Sequence, residues 1–185
     1  ENIIGHESYA EQAKVYRAIA QSFEDVAQRV LLLERLAFLY EKKLTLNLEV
    51  ESTYQEILEL NRNNLRALRY LKVIAVQSGH WREAARTLEQ MVEAHLPSFE
   101  RERAAFELSQ IFLYQLNQAK RAKEILTTHC ANTRIETSQT YCEALERLND
   151  HEELLSYLGS REHEFKDANS KSRIKHKMGL TSLKA

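Results

Sequence analysis

Apolar residues recur along this chain in short stripes with steps of three and four, broken by polar or glycine-containing stretches. Such steps place side chains on one face of an α-helix, so each stripe predicts an amphipathic helix. Tyr9, Ala13, Tyr16, Ala20 and Phe23 form the first, with Ser8 and Glu11 spaced as a capping box at its start. Ser22 with Asp25 gives a second start signal, ahead of Val26, Val30, Leu33, Leu36, Ala37 and Tyr40. A turn after Lys42-Lys43 leaves Thr45 or Asn47 to cap a third helix bearing Val50, Tyr54, Ile57 and Leu58. Four polar residues, Asn61 to Asn64, end that helix.

The pattern then restarts. Leu65, Leu68, Leu71, Ile74 and Ala75 predict a helix stopped at Ser78-Gly79, where glycine supplies a left-handed cap. Trp81, Ala84, Ala85, Leu88, Met91 and Val92 predict its partner, and Pro97-Ser98 breaks the chain. Ala105, Leu108, Ile111, Phe112 and Leu116 follow, then a turn at Asn117-Gln118, then Ala122, Ile125 and Leu126. Thr133 with Glu136 is another capping-box pair, opening a helix with Tyr141, Cys142, Leu145 and Leu148. Asn149-Asp150 turns the chain into Leu154, Leu155 and Leu158. Polar residues crowd between Arg161 and Ser172 before Ile174, Met178, Gly179 and Leu183 recover a stripe, which reads either as a basic tail or as a further repeat helix.

Tyr54, Leu88, Leu126 and Leu158 follow one another at nearly even intervals, each the same distance behind a helix-turn-helix break. The first interval, from Tyr54 to Leu88, gives a period near 34, the mark of a helical repeat in which each unit buries its apolar face only against its neighbours. The second interval is longer and contains Pro97-Ser98; the third is shorter. The breaks and stripes resemble the tetratricopeptide repeat, a pair of antiparallel helices, best over residues 30–158. The first-helix pattern of a large residue, a small one and a large or aromatic one three further on is met by Leu36-Ala37 with Tyr40, Leu108-Ser109 with Phe112, and Tyr141-Cys142 with Leu145. Met178-Gly179 fits the same pair, and Trp81, Ala84 and Leu88 match the second helix best. Lys72 and Ala75 depart from the pattern, as do Val50, Leu154 and His129. The resemblance implies an all-α fold, a right-handed α-solenoid of antiparallel helix pairs with about four repeats and partial repeats at the ends. It implies one domain over residues 1–185, opening on the second helix of a truncated repeat. The absence of Met before Glu1 predicts a processed protein or a fragment of a larger one.

Composition narrows the function without naming it. The formal net charge is −1, so no global field draws the chain to nucleic acid or membranes. No apolar run approaches the roughly 20 residues needed to span a bilayer, which argues against membrane insertion. The basic stretch Lys171 to Lys177 lacks interleaved aromatics and follows acidic Glu162, Glu164 and Asp167, so it reads as a solvated face rather than an RNA contact. His151-Glu152-Glu153 and His163-Glu164 lack the spacing of a metal site, and no metal or other cofactor is expected. Cys130 and Cys142 read as small buried residues, with a redox pair as the alternative. Two cysteines mildly favour a reducing compartment, so the expected location is cytoplasmic, with a processed periplasmic or secreted form left open. With four isolated glycines and no catalytic motif, no enzymatic activity is expected.

The resemblance places ligands in a concave groove lined by the first helix of each pair. On this chain that face holds Glu34, Phe38 and Glu41, then Arg66, Arg69, Tyr70 and Val73, then Arg103, Phe106, Gln110 and Tyr114, then Gln139, Glu143 and Glu146. Its centre is basic and aromatic between acidic flanks, and Arg and aromatic side chains are effective peptide anchors. Arg66, Arg69, Tyr70, Arg103, Phe106, Gln110 and Tyr114 are therefore the expected partner-binding residues. The expected function is that of a scaffold or adaptor binding a protein segment, with a structural or oligomerisation spacer within a larger protein as the alternative and an RNA-binding helical repeat ranked last.

Overall fold

The computed structural model of the chain describes residues 2–94, 97–130, 135–161 and 179. Their regular structure is entirely helical: α1 Asn2–Ser22, α2 Val26–Leu39, α3 Asn47–Leu60, α4 Leu65–Gln77, α5 Trp81–Glu93, α6 Ser98–Gln110, α7 Ala119–His129, α8 Ile135–Arg147 and α9 His151–Arg161. Short π-helical turns extend α2 over Tyr40–Leu44 and α6 over Ile111–Gln115. The chain divides into two compact units at the Pro97-Ser98 break. In the first, α1 packs on α2, α2 on α3, α3 on α4 and α4 on α5; in the second, α6 packs on α7, α7 on α8 and α8 on α9. Each unit thus holds two tetratricopeptide-like helix pairs, with α1 preceding those of the first.

The four periodic residues each occupy the eighth position of α3, α5, α7 or α9, and all are buried. At a constant distance before each lies a residue with left-handed backbone: Thr45 (φ 52°), Gly79 (φ 71°), Asn117 (φ 52°) and Asn149 (φ 56°). Every second helix starts at the same offset from its left-handed residue, and the uneven intervals arise chiefly from helix length: α6 is prolonged by its π turn, and α7 is shorter than α3 and α5.

Two kinds of turn alternate. After α4, His80 N–H donates to Ala75 O (2.8 Å) and Gly79 N–H to Val76 O (3.2 Å), a Schellman closure. After α8, Asp150 N–H to Leu145 O (3.0 Å) and Asn149 N–H to Glu146 O (3.1 Å) repeat it. After α2 and α6 one more residue separates the aromatic from the left-handed position. The ladder widens there into a π turn, closed by Leu46 N–H on Tyr40 O (3.0 Å) and Gln118 N–H on Phe112 O (2.6 Å). A π turn is how a helix absorbs a single inserted residue. The extra residue occurs in the first and third pairs, so α2–α3 corresponds to α6–α7 and α4–α5 to α8–α9. In the first correspondence Tyr40 aligns with Phe112 and Thr45 with Asn117; in the second Gly79 aligns with Asn149.

Packing follows the small-and-large pattern. Ala37, Ala84, Ser109 and Ala122 are fully buried where helices cross, so their neighbours approach closely. Ser109 satisfies its hydroxyl by donating to Phe106 O (2.7 Å). Val50 and Leu154, larger than the pattern predicts, are buried too, and His129 is half-buried. In the first unit Glu56 accepts from Arg17 of α1 (2.5 Å) and Arg29 of α2 (3.0 Å), tying both helices to α3. α1 buries Ala13 and Ala20, while Val15 (56% exposed) and Ile19, with Phe23 just past its end, leave an apolar edge on its other side.

Three helix starts differ from the sequence expectation. α1 begins at Asn2, so Ser8 is an exposed residue inside it rather than a cap. The Ser8–Glu11 spacing acts as a capping box only where the preceding backbone leaves the helical region, and here it does not. Neither Thr45 nor Asn47 caps α3: Thr45 is spent on the left-handed turn, Asn47 is already helical, and Leu46 between them offers no side-chain acceptor. At α2, Asp25 itself is the cap, accepting from Ala27 N–H (2.9 Å). Asn64 caps α4 by accepting from Ala67 N–H (3.0 Å). The Thr133 capping box and, apart from Gly179, the stripe from Ile174 to Leu183 lie outside the described residues.

Candidate partner-binding recesses

The first helices of each unit enclose a recess. In the first unit α2 contributes Leu31, Glu34, Arg35 and Phe38, α4 contributes Arg66, and Gln12 and Tyr16 of α1 close one side around about 430 Å³. In the second unit α6 contributes Phe99, Glu102, Arg103, Phe106, Glu107 and Gln110, and α8 contributes Glu136 and Thr137, again around about 430 Å³. The α2 positions fall at i, i+3, i+4 and i+7 and so share one helical face. Leu31 and Phe38 are exposed there, at 53% and 43%.

The two recesses are built on equivalent positions. In the register that aligns Tyr40 with Phe112, Leu31, Glu34, Arg35 and Phe38 fall on Arg103, Phe106, Glu107 and Gln110. In the register that aligns Gly79 with Asn149, Arg66 falls on Glu136. Both arginines of the first recess are thus glutamates in the second. In the first, Glu34 accepts from Asn64 Nδ2 (2.7 Å), which holds it beside the start of α4. Arg66 reaches the hydroxyl of Tyr54, whose pKa burial raises and this guanidinium partly restrains. In the second, Arg103 Nε approaches Glu107 Oε1 at 3.4 Å, a partial pairing on an exposed surface.

Four of the seven expected binding residues, Arg66, Arg103, Phe106 and Gln110, line these recesses. Arg69 is exposed on α4 outside the lining. Tyr70 stacks on Tyr54 with ring centroids 4.8 Å apart and is half-buried, its pKa raised first by that burial. Tyr114 stands 45% exposed in the second π turn, donates to Glu143 Oε2 (2.6 Å) and lies under the Arg147 guanidinium. Burial followed by this hydrogen bond raises its pKa. Arg147 also donates to Leu113 O, a carbonyl of the widened turn. Sequence reasoning missed Leu31 and Arg35 in one recess and Phe99, Glu102, Glu107 and Glu136 in the other. The register between the two blocks was the signal available for them.

Among the described residues no group of three His, Cys, Asp or Glu could hold a metal ion, and no helix is long and apolar enough to cross a membrane. Cys130 and Cys142 are buried. The Cys130 thiol donates weakly to Glu102 O (3.8 Å).

No protein-family model matches the chain, and no curated protein matches it in sequence. Among solved structures it is similar to pilF of Pseudomonas aeruginosa, a protein containing tetratricopeptide repeats. The TM-score is 0.51 at 12% identity, covering 99% of this chain and 86% of pilF. The likeness is one of fold, a tetratricopeptide-like all-α helical repeat.

Proposed function

We propose that this chain is a non-catalytic interaction scaffold that holds segments of protein partners against the first helices of its pairs, α2 and α4 in one unit and α6 and α8 in the other. One observation carries the reading: each unit has a recess on corresponding helices, and each recess keeps large apolar side chains accessible among charged ones, though at different positions. Apolar anchors inside a polar rim are the arrangement that captures peptide side chains. Arg66, Arg103, Phe106 and Gln110 are the expected contacts that fall within these recesses.

Truncating the floors tests this. Leu31→Ala with Phe38→Ala should empty the first recess, and Phe99→Ala with Phe106→Ala the second. Proteins that co-purify with the wild-type chain should be retained about tenfold less by one or both pairs, with helicity unchanged by circular dichroism. Leu48→Ala on α3, 79% exposed, should retain them as before. Equal retention by all variants would overturn the reading. The apolar edge of α1, with Val15 and Ile19 and with Phe23 just past its end, favours a second reading in which the chain associates with itself through that helix.

A further inference from the structure

We infer that the α6/α8 recess of the second unit accepts a partner segment in which an apolar side chain is flanked by Lys or Arg. This rests on the protein-binding reading above and adds the chemistry of the bound segment. Phe99, 56% exposed, and half-buried Phe106 supply the apolar floor. Among the described residues, Glu102, Glu107, Glu136 and Arg103 stand around it, with Arg103 3.4 Å from Glu107. With Arg103 set against Glu107, Glu102 and Glu136 leave the described part of the rim negative. Such a rim repels phosphate and acidic segments and attracts an ammonium or guanidinium beside the anchor.

The first unit provides the internal comparison. Its equivalent recess has the same size, yet Arg35 stands where the second has Glu107, and Arg66 where the second has Glu136. These two Arg-to-Glu exchanges outweigh the opposing changes of Leu31 to Arg103 and Glu34 to Phe106, so the described lining turns from basic to acidic. With Arg35 and Arg66 against Glu34, the first recess disfavours a basic flank. The two recesses thus differ in preference through charge, a difference that acts mainly on specificity and weakens as salt screens it.

Two short fluorescein-labelled peptides test the inference, each with a central Phe, one flanked by Lys and the other by Glu. Fluorescence anisotropy with the full chain at low salt should show the Lys-flanked peptide bound about tenfold more tightly. Glu102→Lys with Glu136→Lys should remove that preference, with circular dichroism unchanged. Arg35→Glu with Arg66→Glu should not weaken binding of the Lys-flanked peptide. Preference for the Glu-flanked peptide, or binding indifferent to the Glu102 and Glu136 reversals, would overturn the inference. So would binding of neither peptide. If co-purifying partners are still lost with Phe99→Ala and Phe106→Ala in that case, the general reading stands and only the assigned chemistry fails.

Discussion

Thr45 holds a left-handed backbone at φ 52°, in the turn where the following pair uses Gly79 at φ 71°. A β-branched residue is poorly suited to that region, because its Cβ crowds the neighbouring carbonyl. Its hydroxyl, donating to Leu44 O at 2.8 Å, only anchors the side chain locally. Thr45→Gly should therefore stabilise the chain by about 0.5–1 kcal/mol, after the larger unfolded-state entropy of glycine is subtracted. Gly79→Ala should destabilise it by about 1 kcal/mol. A Cβ at Gly79 would meet nothing within 4 Å, so that loss isolates the backbone cost. Shifts of the urea midpoint in opposite directions would confirm both; a destabilised Thr45→Gly variant would contradict the account of the turn. The difference in legibility has the same origin. Gly79, Asn117 and Asn149 announce their turns because such residues tolerate the left-handed region. Thr45 announces a cap instead, and the turn it occupies is forced on it by the π turn before it.

At the scale of the element, the apolar stripes located every described helix, because burial of one face is what stabilises each of them. Helix starts were less legible, as Ser8 shows. A capping signal depends on the path of the backbone ahead of it, which local spacing does not contain. Ion pairs between helices were not legible at all. Lys123 of α7 bonds Asp150 Oδ2 (3.0 Å) and Glu153 of α9, and Tyr141 of α8 donates to Glu153 Oε1 (2.5 Å). The hydrogen bond from Lys123 holds the Asp150 carboxyl below its ordinary value of 3.8. A carboxylate depressed in the folded state contributes stability above its unfolded pKa and loses it as pH falls through the folded value. Lys123, raised mainly by its bond to Glu153, contributes below its ordinary 10.5 and loses that as pH rises through its folded value. Asp150→Asn keeps an amide oxygen for the Glu153 N–H, now accepted at 3.3 Å, but removes the charge. The variant should melt below wild type at neutral pH and converge with it as the acid range below 3.8 is entered. A gap that stays constant with pH would show that the pair does not act through charge.

At the scale of the whole molecule, the chain repeats a block of two helix pairs, one block in each compact unit. Its period was legible because each second helix starts at a fixed offset from a left-handed turn residue. The basic centre expected from Arg66, Arg69 and Arg103 became something more specific, since charge at a recess is a sum over two helices. Arg66 keeps Arg35 as a neighbour, while Arg103 shares its recess with Glu102, Glu107 and Glu136. Glu102 and Glu107 share α6 with Arg103, but Arg35 and Glu136 come from the facing helix, which a helix read by itself does not reveal. Amide hydrogen exchange of the chain, free and with a co-purified partner, is the decisive test of partner binding against the first helices. Bound partner should slow exchange in α2 and α4, in α6 and α8, or in both sets. Slowing confined to α3, α5, α7 and α9, or to α1 alone, would contradict it.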